Sequence, residues 1–309
     1  MPSETAVVAI GAASLDIKGR LVRDFISGTS NAATVRLSAG GVARNIAENL
    51  VRLGLPTTLI AAVCEDDFGR AIIDQTEAAG VDVSAVMTTC IQHSAAYIAI
   101  IGSNAELLAG LDDSSAARAI TPEWIEQYAA LLRNAQMVVV DANVTRATAN
   151  YVLDLCEKAR VPVALEPVAY GLASRFKDQV GRFTLVLPNL IEAEALSGQS
   201  ITDISSAIKA AQHLVTLGTK IAVITLAHEG VVYATEDEVG HVPAMTTEVT
   251  DPTGAGEAMA AAIIYGLTND IPISECVRLG VIAATLTLRS PETVAPEINL
   301  EYLYAQLEL

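Results

Sequence analysis

The chain has 309 residues, a formal net charge of −17, 51% hydrophobic residues and only 4% aromatic ones. That length and aliphatic content can fill a large core, and the acidic balance argues against a nucleic-acid backbone or an anionic membrane as partner. The four cysteines, Cys64, Cys90, Cys156 and Cys276, are scattered without CxxC spacing. Neither a disulfide framework nor a zinc site is expected, and buried thiols in a reducing compartment are the default. The N-terminus lacks a basic n-region, the apolar run after it is short, and no apolar run approaches membrane-spanning length, so the expected location is cytoplasmic.

Residues 7–10 form an aliphatic run ending in Gly11, Ala12 and Ala13, which reads as a buried strand and a tight turn, with Asp16 just beyond the strand's C-terminal end. Residues 19–38 mix β-branched residues with Gly, Ser and Asn and read as short strands and turns. In residues 41–54, Val42, Ala43, Ile46, Ala47, Leu50 and Leu53 share one helical face and Gly54 stops the helix. A strand over 58–63 and a helix over 67–79 follow. Short strands at 86–89, 97–101 and 106–108 join the 19–38 stretch in a small sheet outside the main one.

From Thr121 the pattern alternates strictly: helix 122–133, strand 137–140, helix 146–158, strand 162–165, strand 184–187, helical segments from Ile191 and Ile204, and strand 221–225. Such alternation implies right-handed crossovers and a parallel sheet covered on both faces. Two apolar helices, 255–265 and 274–288, close the chain. The expectation is one α/β domain over residues 1–309, with lid strands inserted at about 19–38 and 85–110.

Ligands bind beyond the carboxyl ends of the strands in open parallel sheets. Asp16, Asp141 with Asn143, Glu166, Asn189 with Glu192, and Thr225 all fall there. Singly, each is more often a helix cap or turn residue. In Asp251-Pro252-Thr253-Gly254-Ala255-Gly256-Glu257, small residues open an apolar helix. Unpaired N–H groups at a helix N-terminus suit phosphate oxygens, glycine permits close approach, and Glu257 can accept a proton from a hydroxyl. An ordinary capped helix start is the competing reading. No Gly-Lys-Ser/Thr follows, so this is not a Walker loop. Gly40-Gly41 opens a second helix with Asn45 in its first turns, and Pro188-Asn189-Leu190-Ile191-Glu192 offers a carboxylate able to hold hydrated Mg²⁺.

Together these clusters resemble the ribokinase-like (PfkB) carbohydrate kinase family over nearly the whole chain. Residues 40–54 look like its first signature, 251–256 with the Ala-rich helix like its second, and Asn189 with Glu192 like its NxxE motif. The resemblance implies a three-layer α/β/α sandwich with a mostly parallel central sheet and a small β lid, often used for homodimers. It implies ATP as donor, Mg²⁺ as helper and, in many relatives, a monovalent cation (K⁺) near the anion hole. Carried over, Asp16, Gly40, Gly41, Asn45, Asn143 and Glu166 would bind the acceptor. Gly254, Ala255 and Gly256 would form the anion hole, with Glu257 as base. Asn189 and Glu192 would organise Mg²⁺ and phosphates, and Thr225 and Gly230 would flank the nucleotide.

Within the family, residues 40–50, Asp141-Ala142-Asn143, Glu166-Pro167-Val168 and residues 189–198 are most similar to pseudouridine kinases, which implies 5′-phosphorylation of a C-nucleoside. Departures are Glu257 where the family has Asp, Cys64 and Ala227 where it has Gly, and Ala169 and Leu172 in place of Ser and Lys. They keep two alternatives open: a ribose- or adenosine-type kinase, and a ligand-binding pseudokinase.

Overall fold

The computed structural model describes residues 6–89, 93–104 and 106–307; Cys90 and the first five residues lie outside them. The strands are β1 (Val7–Ile10), β2 (Ser14–Leu21), β3 (Ala33–Gly40), β4 (Thr57–Ile60), β5 (Ala62–Cys64), β6 (Met87–Thr89), β7 (Ala95–Ile101) and β8 (Leu107–Asp113). They continue with β9 (Met137–Asp141), β10 (Val163–Glu166), β11 (Leu185–Val186), β12 (Ile221–Thr225), β13 (Val231–Ala234) and β14 (Val239–Val242). The helices are α1 (Val42–Arg52), α2 (Asp67–Ala78), α3 (Pro122–Gln127), α4 (Ala129–Asn134), α5 (Arg146–Ala159) and α6 (Tyr170–Ala173). After them come α7 (Leu190–Ser197), α8 (Ile204–Thr216), α9 (Ala255–Thr268), α10 (Ile273–Arg289) and α11 (Leu300–Leu307).

The central sheet has eight strands in the order β14-β13-β12-β11-β10-β9-β1-β4. All pairs from β12 to β4 are parallel, and β13 and β14 fold back as an antiparallel edge. Its strands are aliphatic throughout because both faces are buried. Val8, Ile10, Val138, Val140 and Leu165 pack into the core under α5, α7 and α8. Their neighbours Val7, Met137, Val139 and Ala164 pack into the core under α1, α9 and α10. The result is the expected three-layer α/β/α architecture with a mostly parallel sheet. No helix among the described residues is long and apolar enough to cross a membrane.

A second sheet, β3-β2-β7-β8, forms the lid. Side chains alternate across it, and its two faces differ in kind. In register, Leu37, Ile17, Ile98 and Leu111 form an apolar row on one face. Asp16 and Lys18 lie on the other and are buried.

Four expectations need correction. Asp16, expected just beyond the C-terminal end of β1, belongs to the next strand: the chain becomes extended again at Ser14, and Asp16 sits inside lid strand β2. The single strand expected at 58–63 is two, because the chain leaves the central sheet after Ile60 and β5 pairs with β6. Strand 87–89 is therefore not a lid strand, and the inserted lid strands are 14–21, 33–40, 95–101 and 107–113. Helix 122–133 breaks at Tyr128, whose φ of −108° and ψ of 13° leave the helical region.

Cys64, Cys156 and Cys276 are buried, as expected, and burial pushes the Cys156 and Cys276 thiols up to about 12.

The join between β1, α1 and β9 rests on Asp141. This fully buried carboxylate accepts N–H bonds from Ala12 at 2.7 Å, Ala43 at 3.0 Å and Asn143 at 2.9 Å. A Cβ on Gly11 would lie 2.2 Å from it. Asp141→Ala strips three buried donors of their acceptor and should cost about 3 kcal/mol or more in urea unfolding. Burial outweighs the N–H donors and pushes its pKa from 3.8 to about 6. The folded state therefore holds this proton more tightly than the unfolded chain. The associated stability is complete below 3.8 and lost as pH rises through about 6. That part of the pH dependence should vanish in Asp141→Ala.

Candidate active site

The carboxyl ends of β10 and β12 and the loop after β11 face the N-terminus of α9. A cavity of about 180 Å³ opens between them, with Glu166, Asn189, Glu192, Thr225, Gly256 and Glu257 among its walls. Residues from four separate elements thus meet: Glu166 ends β10, Asn189 caps α7, Thr225 ends β12 and Glu257 lies in the first turn of α9.

Gly254 is the N-cap of α9 at φ 90°, and a Cβ there would come within 1.9 Å of the Thr293 carbonyl oxygen. Only glycine fits this approach. A Cβ on Gly256, by contrast, would meet nothing within 4 Å. The start of α9 therefore borders open space at Gly256, and a helix N-terminus beside open space suits an anion.

Glu257 is partly buried, and burial raises its pKa above the ordinary value. The Asn45 side chain hydrogen-bonds it and opposes that rise. Asn45 Oδ1 accepts from Arg44 at 2.9 Å, so the amide NH₂ is the end left to donate to the carboxylate. Arg44 is itself held by Thr76, 3.1 Å from Nε, and by Glu48. Gly41, at φ 97°, packs on the Ala12 carbonyl and starts α1 at the angle that delivers Asn45. Gly40 closes on Asp16: a Cβ there would lie 2.1 Å from Oδ1.

Glu166 is held well above the ordinary carboxylate range by burial and by the facing Glu192 and Glu257 carboxylates. Burial also raises Glu192, against the hydrogen bonds from Asn189. Asn189 and Glu192 form a reciprocal capping box: Asn189 N and Nδ2 donate to the two Glu192 oxygens at 2.9 and 2.7 Å. Val168, in the same wall, has φ 68°, which is strained for a β-branched residue.

Repelling carboxylates with no basic residue among the cavity walls fit a divalent cation. No ready cage of three or more ligands exists among the described residues. Both Glu192 oxygens are already engaged, so the chemistry suits a hydrated Mg²⁺ shared with phosphates rather than a dehydrated one.

The monovalent ion expected beside the anion hole does not fit. The Asp251 carboxylate of that loop already holds the Lys18 ammonium, with Nζ 2.8 Å from Oδ2.

Asn143 is buried against Asp141 at the end of β9. Gly230 lies in the turn into β13 at φ 93°, where a Cβ would come within 2.2 Å of the Val242 carbonyl oxygen; it does not line the cavity. Lys18, Arg44 and Thr293 were not foreseen from sequence. Arg44 carried no local signal, since it falls away from the apolar face of α1 and is buried only by tertiary packing.

The profile described as pfkB family carbohydrate kinase matches residues 4–299. Pseudouridine kinase of Escherichia coli (strain K12) is 28% identical over 309 residues, covering 100% of this chain and 98% of that protein. A carbohydrate kinase from Agrobacterium tumefaciens superposes with a TM-score of 0.84 at 25% identity, covering 98% of this chain and 97% of that one. Arabidopsis thaliana ribokinase, solved with ribose and ATP, superposes with a TM-score of 0.83 at 22% identity, covering 98% of each chain.

Proposed function

We propose that this chain, which belongs to the pfkB family of carbohydrate kinases, phosphorylates the 5′-hydroxyl of pseudouridine. Membership makes it an ATP-dependent carbohydrate or nucleoside kinase with a ribokinase fold. The observation that carries the catalytic reading is the Asn45-held Glu257 carboxylate in the first turn of α9, beside the open space at Gly256. Full-length similarity to a pseudouridine kinase supports the acceptor.

Asp16, Gly40, Gly41 and Asn45 hold the acceptor sugar, with Asn143 and Glu166 on its base side. Glu257 orients the hydroxyl and takes its proton. The N–H groups of Gly254, Ala255 and Gly256 stabilise charge developing on the transferred phosphoryl, so catalysis is mostly positioning and electrostatics. Asn189 and Glu192 would hold Mg²⁺, which would supply charge neutralisation at the phosphates when bound. Thr225 and Gly230 flank the nucleotide. ADP release measured over pseudouridine, ribose and adenosine tests the acceptor. Turnover of pseudouridine above the others is expected, and phosphorylation of ribose alone would sink the assignment.

The chain forms a homodimer through the lid. Leu37 and Leu111, 58% and 64% exposed, continue the apolar row through Ile17 and Ile98 on the face away from the site. Contiguous apolar surface of this kind marks an association site. Leu37→Asp with Leu111→Asp should convert the dimer to a monomer in sedimentation velocity.

A further inference from the structure

The Lys18 ammonium lies where the lid meets the anion-hole loop. Its Nζ is 2.8 Å from Asp251 Oδ2 and 3.0 Å from Thr293 Oγ1. Thr293 Oγ1 donates in turn to Asp16 Oδ2 at 3.4 Å. Asp251 Oδ1 accepts the Thr253 N–H at 2.9 Å, which shapes the turn into Gly254. Gly254 packs directly on the Thr293 carbonyl. One cation therefore contacts both segments that set the position of the anion hole, and it is delivered by a strand of the lid.

Lys18 is 8% exposed, Asp251 6% and Thr293 3%, so the charges are desolvated and the pair is not a screened surface bridge. Removing one partner of a buried pair leaves an uncompensated charge. Burial alone would raise the Asp251 carboxyl, but hydrogen bonds from Lys18 and Thr253 overcome it and hold it below the ordinary value. Burial raises the carboxyls of Asp16 and Glu257, and Lys18 opposes that rise.

An ammonium and a potassium ion carry the same charge and both take oxygen partners. We infer that Lys18 is a built-in monovalent cation, which holds Asp251 and Thr293 in place of a bound K⁺ and makes the kinase independent of monovalent ions. Lys18 is then a positioning residue acting through the 251–254 turn. The brace joins lid strand β2 to the 251–254 turn.

This inference rests on kinase membership and not on the identity of the acceptor. Its main readout is thermal melting with ATP bound, in KCl against tetramethylammonium chloride at equal ionic strength. The wild-type chain should melt at the same temperature in both salts. Lys18→Met keeps the aliphatic stem and removes the charge. It should melt lower, be raised selectively by K⁺, and lose up to about 100-fold in kcat, partly restored by K⁺. A selective K⁺ stabilisation of the wild-type chain would overturn the inference. So would a Lys18→Met chain that melts and turns over like wild type, or one that K⁺ fails to rescue. The double variant Lys18→Met with Asp251→Asn removes both charges, guards against misfolding of the single variant, and should show no selective response to K⁺. A selective response there would also count against the assignment.

Discussion

Replacing Glu257 by Gln lowers kcat by on the order of 10²–10⁴-fold and leaves ATP affinity intact. The amide keeps the size of the side chain and one acceptor for the Asn45 NH₂, but it cannot take a proton. The carboxylate is the group in the first turn of α9 that both lines the cavity and is fixed by a neighbour. The pH profile should carry its signature. Burial raises the Glu257 pKa above the ordinary 4.5, and a base works only when ionised. The acid-side fall in rate should therefore lie above pH 4.5. Glu257→Asp withdraws the carboxylate by one methylene while keeping the chemistry. Misplacement on the order of 1 Å costs about 100-fold, so this variant should be slow yet retain a pH-dependent base. Isothermal titration with ATP and steady-state kinetics separate these effects. Equal turnover by Glu257→Gln and wild type would remove the residue from the base role and favour a different proton acceptor.

Gly254→Ala is the second large effect. Its Cβ would lie 1.9 Å from the Thr293 carbonyl oxygen, a backbone atom that cannot rotate away. The φ of 90° adds strain of about 1–3 kcal/mol for a non-glycine residue. Relief requires the 251–254 turn to move off the 290–293 segment, which carries the first N–H groups of α9 away from the phosphoryl position. A fall in kcat of about 100-fold or more is expected, together with a lower melting temperature. Gly256→Ala provides the contrast. A Cβ there meets no protein atom, so stability should hold while binding of ATP weakens.

The local parts of this site were legible in the sequence. Gly254 to Glu257 and Asn189 with Glu192 each lie within one helix start, where spacing along the chain maps directly onto geometry. The aliphatic runs announced the parallel sheet, since burial on both faces leaves no alternation to misread. The long-range parts were not legible. Lys18 meets Asp251 across 233 residues, and nothing near either residue marks the other. Asp16 was given to the end of β1 because the turn at residues 11–13 hides how soon the next strand begins. Strand β6 was assigned to the lid because its three residues carry no signal of which edge they join, and pairing with β5 settles it. The antiparallel β13–β14 edge and helix α11 went unread: both are short, and both are placed by packing on the sheet core.

The central claim is phosphoryl transfer from ATP to a nucleoside hydroxyl with Glu257 as base. Mass spectrometry of a reaction containing ATP, Mg²⁺ and pseudouridine tests it most directly. The account predicts the 5′-monophosphate of pseudouridine with wild-type protein and almost none with Glu257→Gln at matched ATP occupancy. Bound ATP with no phosphorylated product from pseudouridine, ribose or adenosine would contradict it.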